Sequence, residues 1–388
     1  MSSRSRTWKI FGLMTSTCIL LCNCVQQYVS PHKSPATGYL VVDGYILGNG
    51  ATQYSLSRTI PLPGDSAIPV VTGATMEVEG NDQSIYPLTE QGNGVYSVDT
   101  LPLSTAVQYR LRITCPNGET YLSDYVRYKP TPPIDSVTWF QNSDGVNIFL
   151  TAHDPGNSTR YYQWNYLQTY EYNSAEESYY YYDPASDSII ARSPSQQIYT
   201  CWRNIPQNTI AVGTSSQLAQ DVIYKHPLLT LAPPSPLLAI EYSINVSQYS
   251  LTDSGYAFLS LMQQNTEALG SIFDAQPTQI TGNIHSLSNP AEPVIGFVSA
   301  GTVQQMRIFI RRSQVLDWVW DFVCPTADSL IPNDPGMFPA YFAGMQYIPT
   351  NTNPSPSGVL EGWFINQAGC VDCRAQGGTT TKPSYWPN

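Results

Sequence analysis

A period of two, repeated in short runs and cut by turn residues, restricts this chain to a mainly antiparallel β fold. QYSLSR at 53–58 alternates polar and apolar residues, and ATMEVE at 74–79 does so again. Such alternation puts one face of a strand in a core and the other in water. YLVVDGYI at 39–46 is a more apolar strand, and GNG at 92–94 signals a turn before VYSV at 95–98. The runs 107–115 and 119–128 flank Pro116-Asn117-Gly118, which marks a hairpin. Strands at this spacing predict an immunoglobulin- or fibronectin-like β-sandwich over 38–129. PTPP at 130–133 breaks the pattern as a linker.

Strand character resumes from 135 onward, so 130–388 is expected to form a larger β-rich C-terminal domain with a Cys-containing tail. One notable α-helix interrupts it, expected at 251–269. Ser250 and Asp253 would cap it, Phe258, Leu259, Leu261 and Met262 would form its buried stripe, and Gly270 would stop it. Composition agrees: 27 Tyr, 31 Pro and only 12% charged residues suit pleated sheets and argue against long helices and disorder.

The first 23 residues read as a lipoprotein signal peptide. Arg4, Arg6 and Lys9 precede an apolar stretch at 10–21, too short to span a bilayer, which takes roughly 20 apolar residues. Leu21-Cys22-Asn23-Cys24 then places Leu three residues before Cys24, the candidate lipidation site. Acyl chains there would contribute about 0.8 kcal/mol per buried methylene. VQQYVSPHKSPAT at 25–37 reads as a tether, completing residues 24–37. Loss of the leader takes the formal charge from −11 to −14, and no basic patch exists to meet nucleic acid.

Five cysteines follow Cys24. Export makes disulfides the expectation for Cys201, Cys324, Cys370 and Cys373, with both tail cysteines bridging outward to Cys201 and Cys324. Cys115, at a strand end, reads as a buried thiol. A zinc or redox reading of Cys370-Val-Asp-Cys373 lacks further ligands at matching spacing and a βαβ setting. No motif of catalysis, metal or cofactor binding is present, and the four histidines (His32, His153, His226 and His285) form no motif. The residues 161–182 are crowded with aromatics. Tyr162, Trp164, Tyr166, Tyr180 and Tyr182 are the candidate surface for a glycan or peptide ligand or a protein partner. Cross-strand packing inside a sheet is the simpler reading of the same residues.

Several segments together resemble a Bacteroidota lipoprotein family, domain-of-unknown-function family 4249. They are YLVVDGYIL at 39–47, GVY at 94–96, YRLRITCPNGETYLSDY at 109–125, PIDS at 133–136 and YSINVSQYSLTDSGYAF at 242–258. They continue with GSIFDAQPTQITGNI at 270–284, VIGFVSA at 294–300 and CVDCRAQGGTTTKPSYW at 370–386. The resemblance implies a surface lipoprotein, commonly encoded beside SusC-like TonB-dependent outer-membrane transporters, and no known enzymatic activity. Exported proteins of that phylum carry O-glycans at Asp-(Ser/Thr)-aliphatic sites. Ser66, Thr100, Ser188 and Ser329 occupy such tripeptides, and Ser136 a fifth whose flanking Ile134 and Val137 look buried. The expected function is thus an outer-membrane accessory or substrate-capturing partner of such a transporter. A structural or assembly subunit of another outer-membrane complex is the alternative, and an unrecognised hydrolase the third reading.

Overall fold

Alternation is complete in the strand Gln108–Thr114. Tyr109, Leu111 and Ile113 are buried, while Arg110 and Arg112 reach outward to a shared Glu79. This strand sits in a computed structural model that describes residues 38–60, 67–267, 282–318, 320, 322, 324 and 328–387. The signal peptide, Cys24, the tether, Ser66 and Gly270 lie outside the described residues. The chain is mainly β.

Gln108–Thr114 pairs with Thr120–Ser123 across the expected hairpin. Gly118 takes φ +85° there and donates its N–H to the Cys115 carbonyl at 2.9 Å, a conformation that strains any side chain. From Gln108–Thr114 the sheet runs through Thr75–Gly80, Ile85–Gly92, Val95–Val98, Thr52–Arg58, Leu40–Leu47, Ala300–Gly301 and Val126–Lys129. Val126–Lys129 pairs back onto Gln108–Thr114, which closes the sheet in a barrel-like ring. Its core includes Leu40, Leu56, Met76, Tyr96, Leu111 and Ile113.

The expected boundary at residue 130 does not hold as a clean division. Ala300–Gly301 pairs in parallel with Leu40–Leu47, and Ile284–Ser286 pairs with Thr120–Ser123. Both strands come from far beyond the linker. An unpaired edge exposes backbone donors and acceptors, and these returning strands satisfy them. Nothing local in the sequence records that return.

The second unit is a β-sandwich of two sheets. One sheet holds Gly145–His153 between Val222–Leu231 and Ile134–Asn142. The other orders Thr200–Pro206, Tyr161–Asn173, Glu241–Ser250 and Val303–Arg311, with Ala211–Thr214 also paired to Tyr161–Asn173. Val146, Ile148 and Leu150 pack with Trp164, Tyr242 and Ile244 in one core. A smaller unit adds the sheet Ser329–Pro332, Leu360–Gln367, Tyr347–Pro354 and the hairpin Tyr180–Asp183 with Ser188–Ala191.

Cys201 is bonded to Cys373 and Cys324 to Cys370, so the tail is fastened twice, while Cys115 is a buried free thiol. The last residues lie on the outer face of the five-stranded sheet. Arg307 stacks 3.6 Å from the Tyr385 ring centroid, and Trp386 Nε1 donates to Glu171 at 2.9 Å.

The helix forms at Asp253–Glu267. Its cap is Thr252, whose Oγ1 accepts from Gly255 N–H at 3.1 Å. The expected cap, Ser250, is engaged elsewhere: its hydroxyl donates to the Lys129 carbonyl and its N–H to Thr131 Oγ1.

Candidate functional site

The two large units meet along the strands Leu40–Leu47 and Glu241–Ser250. Tyr45 OH donates to the Ser250 carbonyl at 2.8 Å, and the Tyr45 and Tyr249 rings lie 5.0 Å apart, tilted by 45°. Asn49 exchanges two hydrogen bonds with the backbone of Val303, at 2.8 and 2.9 Å. These contacts hold the units in one relative position and leave a cleft of about 540 Å³ beside the helix, within the size range of small-ligand pockets.

Each wall follows from a simple period. Along Leu40–Leu47, the core takes Leu40, Val42 and Ile46, and the intervening Val41, Asp43, Tyr45 and Leu47 face the cleft. Gly44 sits opposite Tyr54, and a Cβ there would lie 2.4 Å from the Tyr54 ring, so only glycine lets that ring close over the strand. On the helix, Gly255, Phe258, Leu259 and Met262 line the cleft. Positions 255, 258, 259 and 262 form one helical face. The stripe expected to be buried in a core is thus partly a cleft wall: Phe258 is buried, but Leu259, Leu261 and Met262 are only half-buried. Phe297 completes this side, 5.6 Å from Phe258.

The opposing wall comes from Tyr161–Asn173. Its inward residues are the predicted aromatics, and its other face gives Gln163 and Asn165 to the cleft. Gln53, Thr209 and Ser299 add further amide and hydroxyl groups.

Asp43 is the single charged side chain among the described lining residues. The residue is exposed to water along its strand, and partial desolvation by the neighbouring protein raises its pKa above the usual carboxylate value. No described residue donates a hydrogen bond to it or forms an ion pair with it. A second depression on the other side of the helix carries Asp124 together with Arg127, and so holds both signs of charge.

The candidate aromatics are placed differently from a binding surface. Tyr162 and Trp164 are fully buried and stack 5.8 Å apart, and Tyr166 is 8% exposed. Trp164 Nε1 donates to Gln248 at 2.8 Å, and Tyr162 OH donates to the buried Asp221, which also accepts from Ser215 Oγ. Burial, with Asp221 beside it, raises the Tyr162 pKa. Tyr180 packs edge-on against Trp363, and Tyr182 packs on Phe342. Tyr162, Trp164 and Tyr166 build a core, because the inward face of their strand is the one that water leaves, while Tyr180 and Tyr182 are half-buried against the core of the smaller unit. The cleft takes the opposite face. Among the glycosylation candidates, Thr100 and Ser329 are exposed and Ser188 is half-buried. Ser136 is half-buried on a strand between the buried Ile134 and Val137.

Sequence reasoning did not single out Asp43, Tyr45 or Tyr249 as site residues. A signal was present: Asp43 is the one charge in the otherwise apolar YLVVDGYI.

A family model described as Domain of unknown function (DUF4249) matches residues 27–307. The chain belongs to the DUF4249 family. The matched region contains all the strands and the helix that wall the cleft of this DUF4249 chain. A search of curated proteins finds no match. Among solved structures, the chain is similar to the chicken CNTN1 FN1-FN3 domains at 13% identity. That match covers 56% of this chain and 63% of the other, with a TM-score of 0.18. A Salmonella alpha-2-macroglobulin mutant matches at 9% identity over 61% of this chain and 15% of that one, with a TM-score of 0.17. The DUF4249 chain therefore spans less than two thirds of the length of either.

No helix among the described residues is long and apolar enough to cross a membrane. Likewise, no group of three or more His, Cys, Asp or Glu side chains among them is placed to hold a metal ion.

Proposed function

We propose that this DUF4249 protein is an outer-membrane lipoprotein, anchored through Cys24 and facing the cell exterior. It captures a ligand in the cleft between its two β units and works with a SusC-like TonB-dependent transporter. The observation that carries the reading is the cleft itself: the barrel-like unit, the sandwich and the helix enclose a mixed surface of aromatic, amide and carboxylate groups. Such a set binds and orients a ligand, and we read it as a binding site rather than a catalytic one. The leader with Leu21-Cys22-Asn23-Cys24, and the resemblance to Bacteroidota lipoproteins, support the location. Export also agrees with two disulfides.

A pull-down of the tagged full chain from detergent-solubilised membranes tests the partnership. The expected result is co-purification of a large TonB-dependent barrel. Recovery of assembly machinery without any transporter would contradict it and favour the structural-subunit reading.

A further inference from the structure

We infer that the cleft takes a short peptide that carries a basic side chain flanked by apolar ones, with Asp43 pairing the cation. The inference rests on the reading of this cleft as a ligand site and adds the chemistry of the ligand.

Three observations on the lining converge. First, the carboxylate of Asp43 has neither a cationic nor a hydrogen-bonding partner among the described residues, although it stands in a recess. The carboxylate is open to the water of the cleft, and an ammonium or guanidinium group entering there pairs with it through a charge-assisted hydrogen bond. Second, aromatic faces accompany it. Tyr45 lies two residues along the same face of the strand, and the tilted Tyr45–Tyr249 pair lines the same cleft. Aromatic faces near a carboxylate attract organic cations, and more strongly as water is excluded.

Third, the rest of the wall specifies an apolar body. Leu47, Leu251, Phe258, Leu259 and Met262 present mostly aliphatic surface, which suits the apolar side chains of a peptide. The amides of Gln53, Gln163 and Asn165 are donors and acceptors suited to peptide groups. No lining residue among those described is cationic, so an anionic ligand would find no charge partner there and would face the like charge of Asp43.

The test uses equilibrium binding to the full chain in detergent. Its probes are acetyl-Leu-Lys-Leu-amide, the same peptide with norleucine in place of lysine, and maltotriose. The lysine peptide is expected to bind at least tenfold more tightly than its norleucine twin. Asp43→Asn, which keeps the side-chain shape, should erase that difference while its melting temperature stays at the wild-type value. Leu259→Trp, which fills the cleft from the helix, should weaken both peptides. Equal binding of the two peptides, or a lysine preference that survives Asp43→Asn, overturns the inference. If maltotriose alone binds and Leu259→Trp weakens it, the peptide inference falls while the cleft stands as a ligand site. If no probe binds wild-type protein or the filled variant, the ligand-site reading falls with it.

Discussion

Tyr162 shows most clearly how one residue type can carry two readings. Its place in a tyrosine-rich segment marks it as a ligand contact, yet the alternation along Tyr161–Asn173 turns it inward, where its hydroxyl satisfies the buried Asp221. Tyr162→Phe removes a donor from a buried carboxylate, so chemical denaturation should show a loss of about 1–3 kcal/mol. A gain in stability would contradict the network. Asp154 offers a test by pH. Partial burial opposes its charge, but hydrogen bonds from Ser158 Oγ and from the N–H groups of Thr159, Ser158 and Gly156 prevail. Together they hold its pKa at about 2, against an ordinary 3.8. A depressed native pKa contributes stability above the unfolded value and loses it as pH falls through the native one. The wild type should therefore lose this contribution between about pH 4 and pH 2, and Asp154→Asn should lack that part of the acid dependence. Parallel acid titrations of the two proteins would show whether it does.

At the scale of elements, the strands were legible and their partners were not. Period-two patterns and the Pro116-Asn117-Gly118 turn placed the strands of the first unit close to where they form, because both are local consequences of burial and backbone conformation. The return of Ala300–Gly301 and Ile284–Ser286 to that unit depends on contacts across more than 150 residues, and no local pattern encodes it. The helix was legible as an element, but its cap moved from Ser250 to Thr252 because Ser250 is committed to the joint between the units. Thr252→Ala should cost about 1 kcal/mol in a denaturation experiment. Ser250→Ala should disturb the joint while leaving the helix cap intact, seen as faster amide exchange along Leu40–Leu47 and Glu241–Ser250. The site was legible only in outline. Asp43 stood out as a lone charge in an apolar strand, but Tyr249, Gln163 and Phe297 reach the cleft only through the packing of two units.

For the whole molecule, the tail is held by two covalent ties of unequal reach. Cys201–Cys373 spans 172 residues and Cys324–Cys370 spans 46. In the chain-entropy account, longer closed loops restrict the unfolded chain more. Replacing both members of the first pair by Ala should therefore cost about 5 kcal/mol, against about 4 kcal/mol for the second. Thermal or denaturant unfolding of the two double variants gives the order, and the reverse order would contradict it. In the proposed function, lipid on Cys24 holds the molecule at a bilayer so that its cleft stands before a transporter. Metabolic labelling with palmitate, read together with membrane fractionation, tests this most directly. The wild-type chain should take up label and stay with the membrane, and Cys24→Ser should do neither. Label on the Ser variant, or membrane retention without it, would contradict the account.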